Sequence, residues 1–441
     1  MNNLAINGGE KIRKDPFPAQ LTYGREEEIG IEDFLNYKNN LSGYRGSWNK
    51  AFMGGEKVKK FEKEWSDYHG GCHSLAVNSC TSALIVACGA IGLKPGDEVI
   101  VTPWSMSCSA TAPMWWGAVP VFADIEPEQF CLDPVSVESK ITDKTKAIIV
   151  VDLFGQPFAK EIMDIANKHN LIVIEDAAQA PGAGQNQLAD PLAPPTPTGL
   201  LGHIGCFSFT QGKHLTCGEG GMITTFDSVL AAKCALIRNH TESVLHEMKR
   251  VDRPRFDMTM YSQIENGIGM NLRMTEINAV IMSEQLKKLE EYVVRRNVNA
   301  NLIYNALEDI PFIKKPALRD ACYHAYYCQP FLYDNEIAGV HRDKFLAAVN
   351  AELTGEEGRP DRPMIGGGYI EPIYKFPLFQ NRQHWGIKNV DYSTVNLPVV
   401  ERLWKDDFFL SMYHNLPLST EDIEDISKAY HKVYENMDEL I

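Results

Sequence analysis

The stretch Cys206-Phe-Ser-Phe-Thr-Gln-Gly-Lys213-His-Leu-Thr-Cys-Gly-Glu-Gly-Gly221 reads as a short buried strand, a loop carrying one lysine, and a glycine-rich turn. Upstream, the apolar run Leu171-Ile-Val-Ile174 ends in Glu175-Asp176. An acid at one strand end and a lysine beyond a later strand are the two groups pyridoxal phosphate chemistry requires. The amine forms a Schiff base with the aldehyde, and the carboxylate keeps the pyridine nitrogen protonated as an electron sink. Taken singly, a loop lysine is usually solvated and a strand-end aspartate is often a helix cap. The weight rests on the pair.

Outward from this segment, residues 74–226 repeat short apolar runs and helix-length stretches. Strands are expected at 74–77, 98–102, 119–124, 147–152, 171–175, 206–209 and 222–225. Several are rich in Val and Ile without alternation, as in strands covered on both faces. Helices are expected at 81–91, 109–116, 134–141 and 160–169. The pattern is α/β with a mainly parallel, seven-stranded central sheet.

Before it, Val58, Phe61, Trp65 and Tyr68 recur at helical spacing and predict a core-facing stripe. Residues 188–202, with four prolines and two glycines, read as a loop. Residues 274–307 carry a long helical pattern without proline, and the exit from the large domain is placed near 290. The expected division is therefore 1–290, a large cofactor-binding domain with an N-terminal segment, and 291–441, a smaller α+β domain. Within the latter, a strand is expected at 326–333, helices at 342–352 and 420–439, and a turn-rich connector at 366–379.

Composition narrows the class. The 441 residues are 44% hydrophobic and 23% charged, with 58 acidic against 43 basic side chains and a net charge of −15. Such a surface repels nucleic acid and anionic membranes. Ten cysteines are scattered without a Cys-x-x-Cys pair. No basic-then-apolar leader is visible, and no window reaches the roughly 18 apolar residues of a membrane span. Reduced thiols in a cytoplasmic enzyme are expected. His203, His214 and His240 lie near the key motifs, but no pair has a metal-ligand spacing backed by carboxylates or thiols.

The turn Asn78-Ser-Cys-Thr-Ser82 joins a strand to an apolar helix. A helix start offers unpaired N–H groups and a favourable dipole for a phosphate, with Thr81 and Ser82 as added hydroxyl donors. Simple N-capping is the competing explanation. Ser208, shortly before Lys213, is a second candidate phosphate donor, so one strand and loop could hold both ends of a cofactor.

Together, Asn78-Ser-Cys-Thr-Ser-Ala-Leu84, Gly92-Leu-Lys-Pro-Gly-Asp-Glu-Val99, Glu175-Asp-Ala-Ala-Gln179, Phe207-Ser-Phe-Thr-Gln-Gly-Lys213, Gly218-Glu-Gly-Gly221 and Gly269-Met-Asn-Leu-Arg-Met-Thr-Glu276 occur in an order that resembles the DegT-type sugar aminotransferases. These are fold-type I pyridoxal phosphate enzymes that aminate keto-sugars and keto-cyclitols. The resemblance implies Lys213 as the Schiff-base lysine and later proton carrier, with Asp176 on the pyridine nitrogen. It places Gln179 against the ring or its phenolic oxygen, and the Cys80 backbone, Thr81 and Ser208 on the phosphate. Asn271 would reach the phosphate of a neighbouring subunit, which implies a homodimer with shared sites.

Relatives usually carry glycine where this chain has Cys80. They also place a ring-stacking aromatic four residues after the proline, at Ser107 here. Trp104 or Met106 would then cover the ring, or Trp104 belongs to the core.

The implied reaction is transamination in two halves. Glutamate or glutamine loads the cofactor as pyridoxamine phosphate, and a keto-sugar, nucleotide-linked in the commonest case, takes the amino group. A free keto-cyclitol or unlinked sugar is the alternative acceptor. Dehydratase relatives carry histidine in place of the lysine, and Lys213 argues against that branch. It also argues against a non-catalytic regulator. A nicotinamide enzyme would need Gly-x-Gly-x-x-Gly at the first strand turn, which is missing. Extra length around 42–53, 188–199 and 353–370 could rim the acceptor site.

Overall fold

The computed structural model describes residues 3–441 except 21, 38, 39, 48, 50, 187–194, 249–266 and 382–389. The loop and extra length expected around 188–199 fall largely outside the described residues.

The expected strands form one seven-stranded sheet: β1 (His73–Val77), β2 (Glu98–Val101), β3 (Val119–Phe122), β4 (Thr145–Val151), β5 (Ile172–Asp176), β6 (Ile204–Ser208) and β7 (Gly221–Thr225). Their order is β1-β7-β6-β5-β4-β2-β3. Pairing is parallel throughout except that β7 runs antiparallel to both β1 and β6. Every residue of β6 and β7 is buried, as helices covering both faces require.

The Cys80–Ala90 helix is apolar almost all round and almost wholly buried, so it shows no polar face. The stripe on Glu56–Tyr68 holds at Val58, Phe61 and Trp65, while Tyr68 is 43% exposed and leaves it.

The long helical pattern does not form one helix. It breaks into Glu276–Leu286 and Leu289–Ala306 without proline or glycine at the junction. Tertiary contacts decide the break. Gln285 donates to Thr22 O and Glu27, while Lys288 reaches Glu26 and Glu27.

A second, antiparallel sheet pairs Ile313–Lys314 with Gln329–Tyr333, that strand with Phe408–Ser411, and the last with Ile365–Gly367. The expected connector at 366–379 therefore begins as an edge strand. The strand expected from 326 begins at 329 instead, because residues 324–327 make a tight bend described below.

Phe331, Phe345, Phe409 and Tyr430 form an apolar cluster that also takes in Leu4 and Phe17. Tyr374, Phe379, Tyr392 and Phe408 instead pack on the cluster around the large sheet.

Candidate active site

Register brings the site to the carboxyl edge of the parallel strands, where α/β sheets bind ligands. Val151 and Cys206 flank Asp176 on β4 and β6. Successive strand residues face opposite sides. Glu175 accordingly turns away and accepts the N–H groups of Gly199, Leu201 and Gly202, fixing the loop beneath the sheet. Asp176 is buried on the other side.

Its Oδ2 accepts the Ser109 hydroxyl at 2.7 Å, and its Oδ1 accepts Ala178 N–H at 3.2 Å and the Cys80 thiol at 3.7 Å. Burial pushes this carboxyl up; the Ser109 and Ala178 donors and the Lys213 charge oppose the rise. Among the described residues no cationic side chain forms an ion pair with it. A buried carboxyl with one oxygen still open to a further donor suits a protonated pyridine nitrogen.

Lys213 lies in the loop after β6, its Nζ 4.1 Å from the centroid of the Tyr327 ring. Its charge acts on Asp176 and also on Cys108, whose thiol burial pushes up to about 11. The amine thus lies near enough to the acid to act on it electrostatically.

The phosphate end is built by close approach of backbones. Gly221 pairs with Val77 on one side and with Ser208 on the other. A Cβ at Gly221 would stand 2.6 Å from Ser79 C and 2.8 Å from Cys80 N. Only glycine lets the strand pass this turn. Ser79 caps the helix by accepting Ser82 N–H, and helix geometry leaves the N–H groups of Cys80 and Thr81 without an intrahelical acceptor. Thr81 is exposed and Ser208 lies on the far side of Gly221, so these hydroxyls and amides would serve as donors to a small anionic group. These residues fit pyridoxal phosphate.

Cys80 contributes more than a backbone amide: its side chain supplies the thiol donor to Asp176. Gln179 is buried; its Oε1 accepts Phe154 N–H at 2.8 Å and its Nε2 donates to the Tyr369 hydroxyl at 3.2 Å. Tyr369 comes from the 353–370 segment, which therefore reaches the site.

Trp104, expected over the cofactor ring or in the core, packs in the core. It is fully buried, donates its indole N–H to Ile370 O at 2.7 Å, and packs edge-on against Phe130, Phe154, Tyr369 and Phe408. No face remains for a ligand. Met106, the other candidate, is 64% exposed.

Asn271 is exposed, and its backbone forms an isolated bridge with the buried Asn239. His214 is buried with Nε2 donating to Ala325 O, and burial holds it far below the usual histidine range, so it is neutral.

Ser109, Tyr327 and Tyr369 escaped the sequence reading. Ser109 meets Asp176 across 67 positions, a separation no spacing rule encodes. For Tyr369, the run of glycines at 366–368 was the available signal.

The strand order with one reversed strand, the acid on β5 and the lysine after β6 define a fold-type I pyridoxal phosphate enzyme. The profile of the DegT/DnrJ/EryC1/StrS aminotransferase family matches residues 45–430, and the chain belongs to that family. It is an aminotransferase and uses pyridoxal phosphate.

Spore coat polysaccharide biosynthesis protein SpsC of Bacillus subtilis is 32% identical over 87% of this chain and 91% of its own. L-glutamine:2-deoxy-scyllo-inosose aminotransferase of Streptomyces kanamyceticus is 31% identical over 99% of this chain and 97% of its own. The crystal structure of an aminotransferase from Psychrobacter cryohalolentis superposes with a TM-score of 0.76 at 28% identity, covering 96% of this chain and 99% of that one.

Proposed function

We propose that this chain moves an amino group from glutamine or glutamate to the carbonyl of a keto-sugar, with Lys213 as the residue that binds the cofactor and shuttles the proton. The observation that carries the reading is the buried Asp176, on which the Lys213 charge acts, together with the close backbone approach at Gly221. When bound, pyridoxal phosphate supplies an electrophilic aldehyde and a protonated ring that draws electrons from the substrate carbon.

The protein does the rest. Asp176, whose Ser109 and Ala178 donors oppose the rise that burial imposes, would accept a hydrogen bond from the protonated ring nitrogen. Cys80 N–H, Thr81 and Ser208 would hold the phosphate, and Gln179 would lie against the ring. The Lys213 amine takes a proton from the donor carbon in the first half-reaction and returns one to the acceptor carbon in the second.

A second reading of the acceptor, a free keto-cyclitol with glutamine as donor, is favoured by the near full-length match to a glutamine-dependent scyllo-inosose enzyme. Asn271 on the surface supports a homodimer in which each protomer completes its partner's phosphate site. Ten free thiols and the lack, among the described residues, of a helix able to cross a membrane support a cytoplasmic location. The interruption between Leu286 and Leu289 and the separate C-terminal apolar cluster support a domain division near 290, with Leu4 and Phe17 crossing to the smaller unit.

Borohydride reduction followed by peptide mapping tests the core of this reading: the label belongs on Lys213. Adding glutamine or glutamate should change the visible-edge absorbance, and supplying 2-deoxy-scyllo-inosose or a nucleotide-linked keto-sugar should restore it. Labelling elsewhere, or no spectral response to either donor, overturns the assignment.

A further inference from the structure

We propose that Tyr327 is a positioning residue for Lys213, its ring face being the seat that holds the amine at the pocket. This deepens the reading above and rests on Lys213 being the cofactor lysine. Three observations carry it.

The first is the contact itself. Among the described residues no carboxylate forms an ion pair with Lys213, and its ammonium lies 4.1 Å above the Tyr327 ring centroid. An aromatic face attracts a cation most where water is excluded.

The second is the backbone that delivers the ring. Tyr326 has φ +47° and Phe154, beside it, φ +59°, a left-handed conformation that side chains other than glycine rarely adopt. Such a bend persists only where its surroundings over-determine it. Here three separate parts of the chain do so. Phe154 O accepts Tyr327 N–H at 2.7 Å, and Gly155 O accepts Ala325 N–H at 2.9 Å. Arg296 donates to Tyr326 O at 2.9 Å, and His414 Nε2 donates to the same oxygen at 2.8 Å. Arg296 is buried, and among the described residues it has no carboxylate partner. A buried cation spent on the carbonyls of this bend is more than packing of one tyrosine needs.

The third is a tether. His214, the residue after Lys213, donates from Nε2 to Ala325 O at 2.9 Å. The loop that carries the amine is thereby pinned to the segment that carries the ring, so the two are set as a pair.

The test is competitive acetylation of the full-length protein purified without cofactor, with the Lys213 peptide quantified against surface lysines. Replacing Tyr327 by Leu should raise acetylation of Lys213 on the order of tenfold, because the ammonium loses its seat, and Y327F should stay within about twofold of wild type. Pentafluorophenylalanine inserted at 327 keeps the ring's shape and reverses its quadrupole, so it should behave like Y327L; it decides the matter alone if Y327L does not fold. Wild-type labelling in the fluorinated protein overturns the proposal. Because no cofactor is present, this outcome is separate from borohydride trapping, which judges the role of Lys213 itself.

Discussion

Ser109 gives its hydroxyl proton to Asp176 Oδ2 at 2.7 Å, from the short helix that follows β2, and both residues are buried. The bond opposes the rise that burial imposes on the carboxyl. Replacing Ser109 by Ala pushes Asp176 further up and leaves less anion for the ring nitrogen. Cofactor binding should weaken about tenfold, the scale of one hydrogen bond to a charged group. Titrating the cofactor-free S109A protein and following absorbance checks this, and unchanged affinity would remove Ser109 from the site.

Trp104 should behave as core. W104A is expected to lose about 3–5 kcal/mol, the usual penalty for emptying a buried indole site. The fraction that remains native should show the wild-type cofactor spectrum. A shifted absorbance band in folded W104A would return the residue to the ring.

Glu27 ties the N-terminal region to the helix junction through Lys288 at 2.8 Å, with the Glu27 side chain only 4% exposed. Burial raises its pKa, but Lys288, Gln285 and the Gly24 N–H outweigh burial and leave the carboxyl below its ordinary value. The stabilisation is therefore complete above the free-carboxylate pKa of about 4.3 and fades as pH falls through the lower folded value. E27Q should cost about 1–3 kcal/mol at pH 7. Unfolding midpoints of the two proteins should converge as pH falls through that acidic range. A gap that does not narrow would mean that charge is not its cause.

Shared sites are testable by mixing. K213A and N271A homodimers should each be inactive or nearly so. In a hybrid, one site recovers both residues and the other loses both. Random reassociation should restore at most roughly a quarter of wild-type activity, as expected for half hybrids with one sound site each. Zero recovery with verified hybrids would place Asn271 in its own protomer's site, and full activity of the N271A homodimer would place it outside any site.

Legibility from sequence followed physical locality. The strands of the large sheet were readable as short apolar runs, and in β2, β4 and β5 burial leaves stretches rich in Val and Ile. The Gly218–Gly221 turn was readable because close backbone approach demands glycine. What stayed hidden was tertiary. The break after Leu286 has no breaker residue and is set by Glu27 and Thr22, far away in the chain. Trp104 reads alike as stacking ring or core wall until Phe408 and Ile370 are known to enclose it. Tyr326 carries no mark of its left-handed backbone, since the restraints come from Phe154, Arg296 and His414.

One consequence of the reversed strand concerns how the molecule is made. Among the described residues β1 joins the large sheet through β7 alone, so this strand must wait for residues 221–225 to leave the ribosome before it can join. Pairing over so long a stretch is slow, and the exposed edge invites association in the meantime. The turn at Ser79 and its helix therefore gain their final setting late in biogenesis. A truncated nascent chain ending before Gly221 should be prone to aggregate and unable to capture the vitamin.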